Sequence, residues 1–203
     1  MEKLQKEVSI CQKCDLYKTR TQTVFGAGNI NTDIVFIGEA PGKDEDIQGK
    51  PFVGRAGKFL NELLASVGLS RDDIYITNIL KCRPPNNRDP DETEIKVCSP
   101  YLEKQIDMIN PKVIVTLGRY SLNYFLPGFS ISKVHGQPKR RISDSRVIFP
   151  MYHPAVALYR GSFREILIND MKRLSRLLDK WDDIEKESKL DEEIETPENL
   201  KLF

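Results

Sequence analysis

No stretch of this sequence approaches the roughly eighteen continuous apolar residues that a membrane-spanning helix needs. The first ten residues, MEKLQKEVSI, lack an apolar run that could act as a secretory signal. Both absences predict a cytoplasmic protein with no membrane partner. Compositional bias is missing too. Segments such as IVFIG, IYITNIL and KVIVTLG are core material, which excludes collagen-like, mucin-like and wholly disordered chains. There is no internal repeat. No G-x-x-x-x-G-K-[ST] is present, so the glycines at 26–28 and 38–42 give a nucleotide-binding enzyme only weak support. Histidine is scarce, with His135 and His153 alone, and net charge is nearly absent at +1.

That average conceals an asymmetry. From Asp182 to Glu198 nine acids face only Lys186 and Lys189, and with Lys201 beyond them this leaves residues 1–181 at +7. A basic body suits a polyanion, because neutralised phosphates release counterions. Ordinary surface charge explains the same number equally well, so charge alone decides nothing. The 203 residues suffice for one domain with a substantial core. We expect that domain over residues 1–181 and a flexible acidic tail over 182–203.

Strand signals run from Asp33 to Ile37, Ile74 to Ile79, Lys112 to Leu117 and Val147 to Met151. Helical patterns cover 56–66, where Phe59, Leu60, Leu63 and Leu64 share a face, and 92–109, 119–126 and 163–180. The span from Lys133 to Phe149 reads as a hairpin around Gln137-Pro138-Lys139, and the chain between Gly42 and Pro51 as a polar loop. Alternating strands and helices predict an α/β fold, a three-layer α/β/α sandwich with a mostly parallel four-stranded sheet. Ligands in such sheets bind beyond the carboxyl ends of the strands. Three segments there hold the unusual residues: Gly38–Gly42, Asn78–Arg83 and His153–Arg160.

The cysteines are Cys11, Cys14, Cys82 and Cys98, a C-x2-C pair followed by a distant C-x15-C pair. Four thiolates in a cytoplasmic chain suit zinc or an iron–sulfur cluster better than disulfides. Structural zinc favours two tight knuckles, and the second pair is too widely spaced for one. Spacing therefore favours the cluster, with zinc as the alternative.

Several motifs together are highly specific: Gly38-Glu39-Ala40-Pro41-Gly42, Pro51-Phe52-Val53-Gly54-Arg55-Ala56-Gly57, Thr77-Asn78-Ile79-Leu80-Lys81-Cys82-Arg83-Pro84-Pro85 and His153-Pro154-Ala155. In this order, and with all four cysteines, they resemble family 4 uracil-DNA glycosylases, the iron–sulfur members of their superfamily. The likeness covers about residues 8–178. It implies an enzyme that flips uracil out of single- or double-stranded DNA and hydrolyses its glycosidic bond. It also implies a [4Fe-4S] cluster on Cys11, Cys14, Cys82 and Cys98.

The resemblance assigns roles residue by residue. Gly38, Glu39 and Ala40 would border the base, with Phe52 as its stacking face. Asn78 would read uracil by donating to O4 and accepting from N3–H. His153 would hydrogen-bond O2 as charge builds there. Where better-known relatives have an Asp, this chain has Ala40. Glu39 and Glu45 remain as candidates for activating water, and Glu45 could instead block thymine's methyl beside Gly42. Beyond the resemblance, we expect the basic Arg83 and Arg88 to meet phosphates. Leu158 and Tyr159 would press into the duplex from a loop, with Arg160 on a flanking phosphate.

The resemblance assigns no amine in the matched motifs, Lys81 included, as a nucleophile, so we expect no strand cleavage and a monomeric, monofunctional hydrolase. The competing class is a non-catalytic iron–sulfur nucleic-acid-binding module. The final residues, Glu198-Asn199-Leu200-Lys201-Leu202-Phe203, resemble a degenerate sliding-clamp-binding motif without its leading Gln.

Overall fold

A computed structural model of the chain describes residues 1–141 and 146–181. The acidic segment 182–203 lies outside the described residues. Helix α1 (Glu2–Ser9) is followed by a two-residue strand β1 (Ala27–Gly28) and by β2 (Ile34–Gly38). Then come α2 (Lys43–Gln48), α3 (Arg55–Ala65), β3 (Tyr75–Asn78), α4 (Glu92–Ile109), β4 (Val113–Leu117) and α5 (Arg119–Phe125). The chain continues through α6 (Ile131–Val134), β5 (Lys139–Arg140), β6 (Val147–Met151), α7 (Val156–Tyr159) and α8 (Ser162–Asp179).

The sheet has six strands in the order β1-β3-β2-β4-β6-β5, not the expected four. Its inner four, β3-β2-β4-β6, are all parallel, and only β1 and β5 at the edges run antiparallel. Two-residue strands carry no hydrophobic period, so nothing in their own sequence marks them. The expected hairpin is also revised. Residues 131–134 form α6, and β5 pairs with β6 at Lys139↔Ile148 and Arg140↔Val147, so the reversal falls after Arg140. The polar stretch after Gly42 holds α2, whose three acids, Asp44, Glu45 and Asp46, occupy its positive first turn.

All inner strands are buried throughout, as a sheet covered on both faces requires. Alternation divides them. Phe36, Ile76, Val115 and Phe149 face Phe59, Leu60 and Leu63 of α3 and Leu167, Met171 and Leu174 of α8. Val35, Ile37, Tyr75, Ile114 and Ile148 face Leu102 and Ile106 of α4 and Phe125 of α5. Asp91 caps α4: its side chain accepts from Thr93 N–H while Glu94 reaches back to the Asp91 amide. The helix ends on Asn110 in the left-handed region, φ 49°. From β2 the chain passes to β3 on one side and then to β4 on the other. That reversal opens a crevice at the carboxyl ends of the strands. Among the described residues no helix is long and apolar enough to cross a membrane.

Candidate active site

The crevice holds a cavity of about 350 Å³ lined by Glu39, Ala40, Gly42, Glu45, Phe52, Asn78 and His153, with Pro84, Asn87 and Arg88 at its side. Three strand ends and the turn before α3 thus bring these residues together from more than a hundred residues of chain. The volume lies in the range of small-molecule sites.

Gly38 is the last residue of β2 and shares a register position with Asn78 of β3. A Cβ on Gly38 would stand 2.3 Å from Asn78 Oδ1 and 2.8 Å from Phe52 Cζ, so the missing side chain makes room for both. Asn78 is 2% exposed, and its Oδ1 is buried with no hydrogen-bond partner. A buried orphan acceptor costs free energy unless something fills it. Phe52 is 5% exposed in a left-handed conformation, φ 53°, that an aromatic residue rarely adopts. Arg71 holds it there: one nitrogen donates to the Pro51 carbonyl at 3.0 Å and another to the Phe52 carbonyl. Gly57 lets α3 pass beneath that carbonyl, where a Cβ would lie only 1.6 Å from the oxygen.

His153 follows β6, and its ring centroid lies 5.5 Å from that of Phe52 at an interplanar angle of 30°. Its Nδ1 lies 3.2 Å from the Ala155 amide nitrogen, which donates to it. An accepting Nδ1 puts the proton of the neutral ring on Nε2. Burial drives the His153 pKa down to about 4, so the imidazole is neutral at pH 7.

The two carboxylates differ. Glu45 Oε1 accepts from Val53 N and Gly54 N, both at 2.9 Å, and so organises the turn that carries Phe52. A Cβ on Gly42 would approach Glu45 Oε2 to 2.7 Å, so this carboxylate occupies the space a larger residue 42 would claim. Glu39 is half-buried, and its pKa is pushed up to about 7, chiefly by burial and then by nearby Asp89, with Arg119 opposing. Asp89 itself is held below the usual carboxylate range by Tyr120 and Arg119, the latter donating at 2.6 Å.

Arg83 is half-buried and donates to Asn87 Oδ1 at 2.7 Å. Arg88 borders the cavity, but both its terminal nitrogens donate to Glu94, at 2.5 and 3.0 Å, so its charge is already engaged. Residues 156–159 form a helical turn rather than the expected loop; Tyr159 is 83% exposed while Leu158 is half-buried. Arg160 just beyond is exposed.

Cys11, Cys14, Cys82 and Cys98 line one small pocket together with Arg20, Lys81 and Tyr101. α1 buries Leu4 and Val8 against Phe25 and Tyr101, which delivers Cys11 to that pocket. Arg20 Nη1 donates to Cys82 Sγ at 3.1 Å, and the Lys81 amide to Cys98 Sγ at 3.4 Å. Burial raises the thiols of Cys14, Cys82 and Cys98, the last to about 11. Among the described residues no three His, Cys, Asp or Glu side chains are grouped as a site for a single metal ion.

Residues that motif reading passed over are Arg71, Asn87, Lys81 and Arg20. Asn86 and Asn87 both take positive φ, 55° and 54°, and their residue type is the one local signal for that. Nothing near Arg71 in the sequence points to Phe52.

A model of the Uracil DNA glycosylase superfamily matches residues 25–173. A type-4 uracil-DNA glycosylase of Sulfurisphaera tokodaii is 49% identical over 87% of this chain and 84% of its own length. One from Archaeoglobus fulgidus is 47% identical, covering 89% of this chain and 94% of that protein. The corresponding figures for one from Thermotoga maritima are 45%, 89% and 95%.

Proposed function

The chain belongs to the uracil-DNA glycosylase superfamily, in its type-4 branch, and on that premise we propose that it hydrolyses the bond joining uracil to DNA through the cavity around Asn78. The observation that carries this reading is the buried, unpartnered Asn78 Oδ1 between Gly38 and Phe52. Uracil offers an N–H at N3 beside the O4 acceptor, the complement of one carboxamide. Cytosine offers an acceptor and a donor in the opposite order.

The flipped base stacks on Phe52, and its edge meets Asn78. As the C1′–N1 bond breaks, its electron pair moves onto the uracil and charge gathers at O2. The Nε2–H of neutral His153 donates to that oxygen. The Ala155 amide on Nδ1 sets this tautomer in advance, so little reorganisation is needed when charge develops. Water adds to C1′ and gives its proton to Glu39, a carboxylate poised near neutrality. Glu45, tied to two backbone amides, shapes the pocket and fills the space beside Gly42 where a methylated base would press. No amine takes part, so the product is an abasic site with the strand intact.

Duplex substrates also have to be opened. Tyr159, supported by Leu158, wedges into the stack, with Arg160 and Arg83 on flanking phosphates. Arg88 serves this role only if it releases Glu94.

The donor set fits a [4Fe-4S] cluster, with Cys11, Cys14, Cys82 and Cys98 as ligands. The four thiols line one pocket, and the wide spacing of Cys82 and Cys98 suits a cluster better than a zinc knuckle. When bound, such a cluster supplies a brace between the N-terminal segment and the loop after β3. Zinc without iron in the purified protein would refute the assignment.

The enzyme acts as a cytoplasmic monomer, with residues 1–181 as the catalytic unit and 182–203 as an acidic tail ending in a clamp-binding segment. The tail's effect is to raise the enzyme's concentration near DNA. Truncation after Trp181 should preserve activity on a short oligonucleotide and abolish clamp association. The reading as a whole is tested by incubating the protein with a uracil-containing oligonucleotide and then with alkali. Cleavage at uracil alone, and only after alkali, is expected. Binding without base release would favour the non-catalytic module instead.

A further inference from the structure

One buried lysine has no part in the bond-breaking chemistry above. Lys81 is 1% exposed, and its Nζ donates to Thr77 Oγ1 at 2.6 Å and to the backbone carbonyl of Asn78 at 2.7 Å. The Thr77 hydroxyl donates in turn to the Phe25 carbonyl at 2.8 Å, which also receives Gln105 Nε2 at 2.9 Å. The amine thus sits in an enclosed polar cluster that ties β3 to α4 and to the chain entering β1.

Burial lowers the pKa of this lysine to about 7, outweighing Cys98 and Cys82, which border it and favour its charged form. Burying an ammonium is costly, and apolar replacement of buried charges is often neutral or stabilising. Buried polar groups that break local rules concentrate at functional positions. The target of the hydrogen bond identifies the position. Asn78 presents a side-chain oxygen without a partner, so no hydrogen bond at Oδ1 holds its amide in place before a base arrives. Its direction depends on the peptide that carries it. Nζ donates to that peptide's carbonyl at 2.7 Å, and an amine with two acceptors can make both bonds whether or not it is protonated.

We propose that Lys81 is the positioning residue for Asn78, fixing its peptide so that the side-chain amide meets a pyrimidine edge in the uracil-selective orientation. The inference rests on the reading of Asn78 as the base reader. It predicts that Lys81 acts on recognition, not on the bond-breaking group, since His153 lies on a different strand end.

The test is a double-mutant cycle with Lys81→Met, which keeps the length of the side chain and removes its donors. Single-turnover release of uracil and of cytosine, iron content and melting temperature are measured for wild type, Lys81→Met, Asn78→Ala and the pair. Lys81→Met should lower the single-turnover rate on uracil by roughly ten- to a hundredfold, as for a buried carbonyl that loses its donor. The preference for uracil over cytosine should fall with it. In the Asn78→Ala background the same substitution should change little, because both act through one amide. Additive losses, an unchanged uracil-to-cytosine ratio, or iron content falling in step with activity would each overturn the proposal. If Lys81→Met does not fold, Lys81→Gln, which retains an N–H donor on a shorter stem, takes its place in the cycle. It should then give an intermediate loss with the same non-additivity. Failure of the wild-type protein to release uracil would instead refute the underlying reading.

Discussion

Replacing Gly38 by alanine tests the arrangement of the cavity directly. Gly38 lies in β2, not in the left-handed region, so its backbone accepts alanine without strain. The new Cβ would lie 2.3 Å from Asn78 Oδ1, and 2.8 and 2.9 Å from Phe52 Cζ and Cε2. Ordinary contacts between such atoms lie near 3.5–4.0 Å, so one group must retreat by about 1 Å. Neither retreats freely: Arg71 holds the Phe52 carbonyl, Gly57 backs it, and Asn78 is 2% exposed. Overpacking of this kind costs about 1–3 kcal/mol, or a drop of roughly 2–10 °C in melting temperature for a domain of this size. The catalytic loss should be larger, because a displacement of about 1 Å costs on the order of 100-fold in rate. Single-turnover uracil release with enzyme in excess reads the rate, and calorimetry reads the stability. Gly68→Ala is the control. Gly68 has φ 75°, and a Cβ there would meet nothing within 4 Å, so only stability should fall, by about 1 kcal/mol. A Gly38→Ala enzyme within about threefold of the wild-type rate would refute the claim that Phe52 and Asn78 grip the leaving base.

Four further outcomes are expected. His153→Ala should slow single-turnover release by about 100- to 1000-fold while leaving DNA affinity nearly unchanged; equal losses in both would contradict the assigned role. The rate should rise with pH through about 7 as Glu39 ionises, and Glu39→Gln should remove that inflection. The folded-state pKa of His153 is depressed from 6.5 to about 4, so its contribution to stability is present above pH 6.5 and is lost as pH falls toward 4. That loss should appear as a falling melting temperature in acid, absent from His153→Ala. Replacing Leu158 and Tyr159 together by alanine should impair duplex substrates well beyond single-stranded ones, and equal impairment would end the wedge assignment.

The inner strands and main helices were legible because their signals are local. The inner strands are largely apolar runs, and α3 and α8 repeat apolar residues at helical spacing. Asp89-Pro90-Asp91 marks the start of α4 in the sequence, and the structure completes it as a capping box with Glu94. The site motifs were legible for the same reason, since Gly38–Gly42, Asn78–Arg83 and His153–Ala155 each sit at a strand end. What only the tertiary structure decided depends on partners remote in sequence. Strands β1 and β5 exist because β3 and β6 offer them open edges. Phe52 holds a left-handed backbone because Arg71, nineteen residues on, takes its carbonyl. Arg88 looked free for phosphate until folding set Glu94 against it. Glu39 and Glu45 are equivalent on paper. Burial beside Asp89 raises the first, while the amides of Val53 and Gly54 claim the second. A hydrophobic period is a property of neighbouring residues and survives in the sequence. The dielectric around a carboxylate, or the partner of a carbonyl, is a property of the folded surroundings and comes into being only with them.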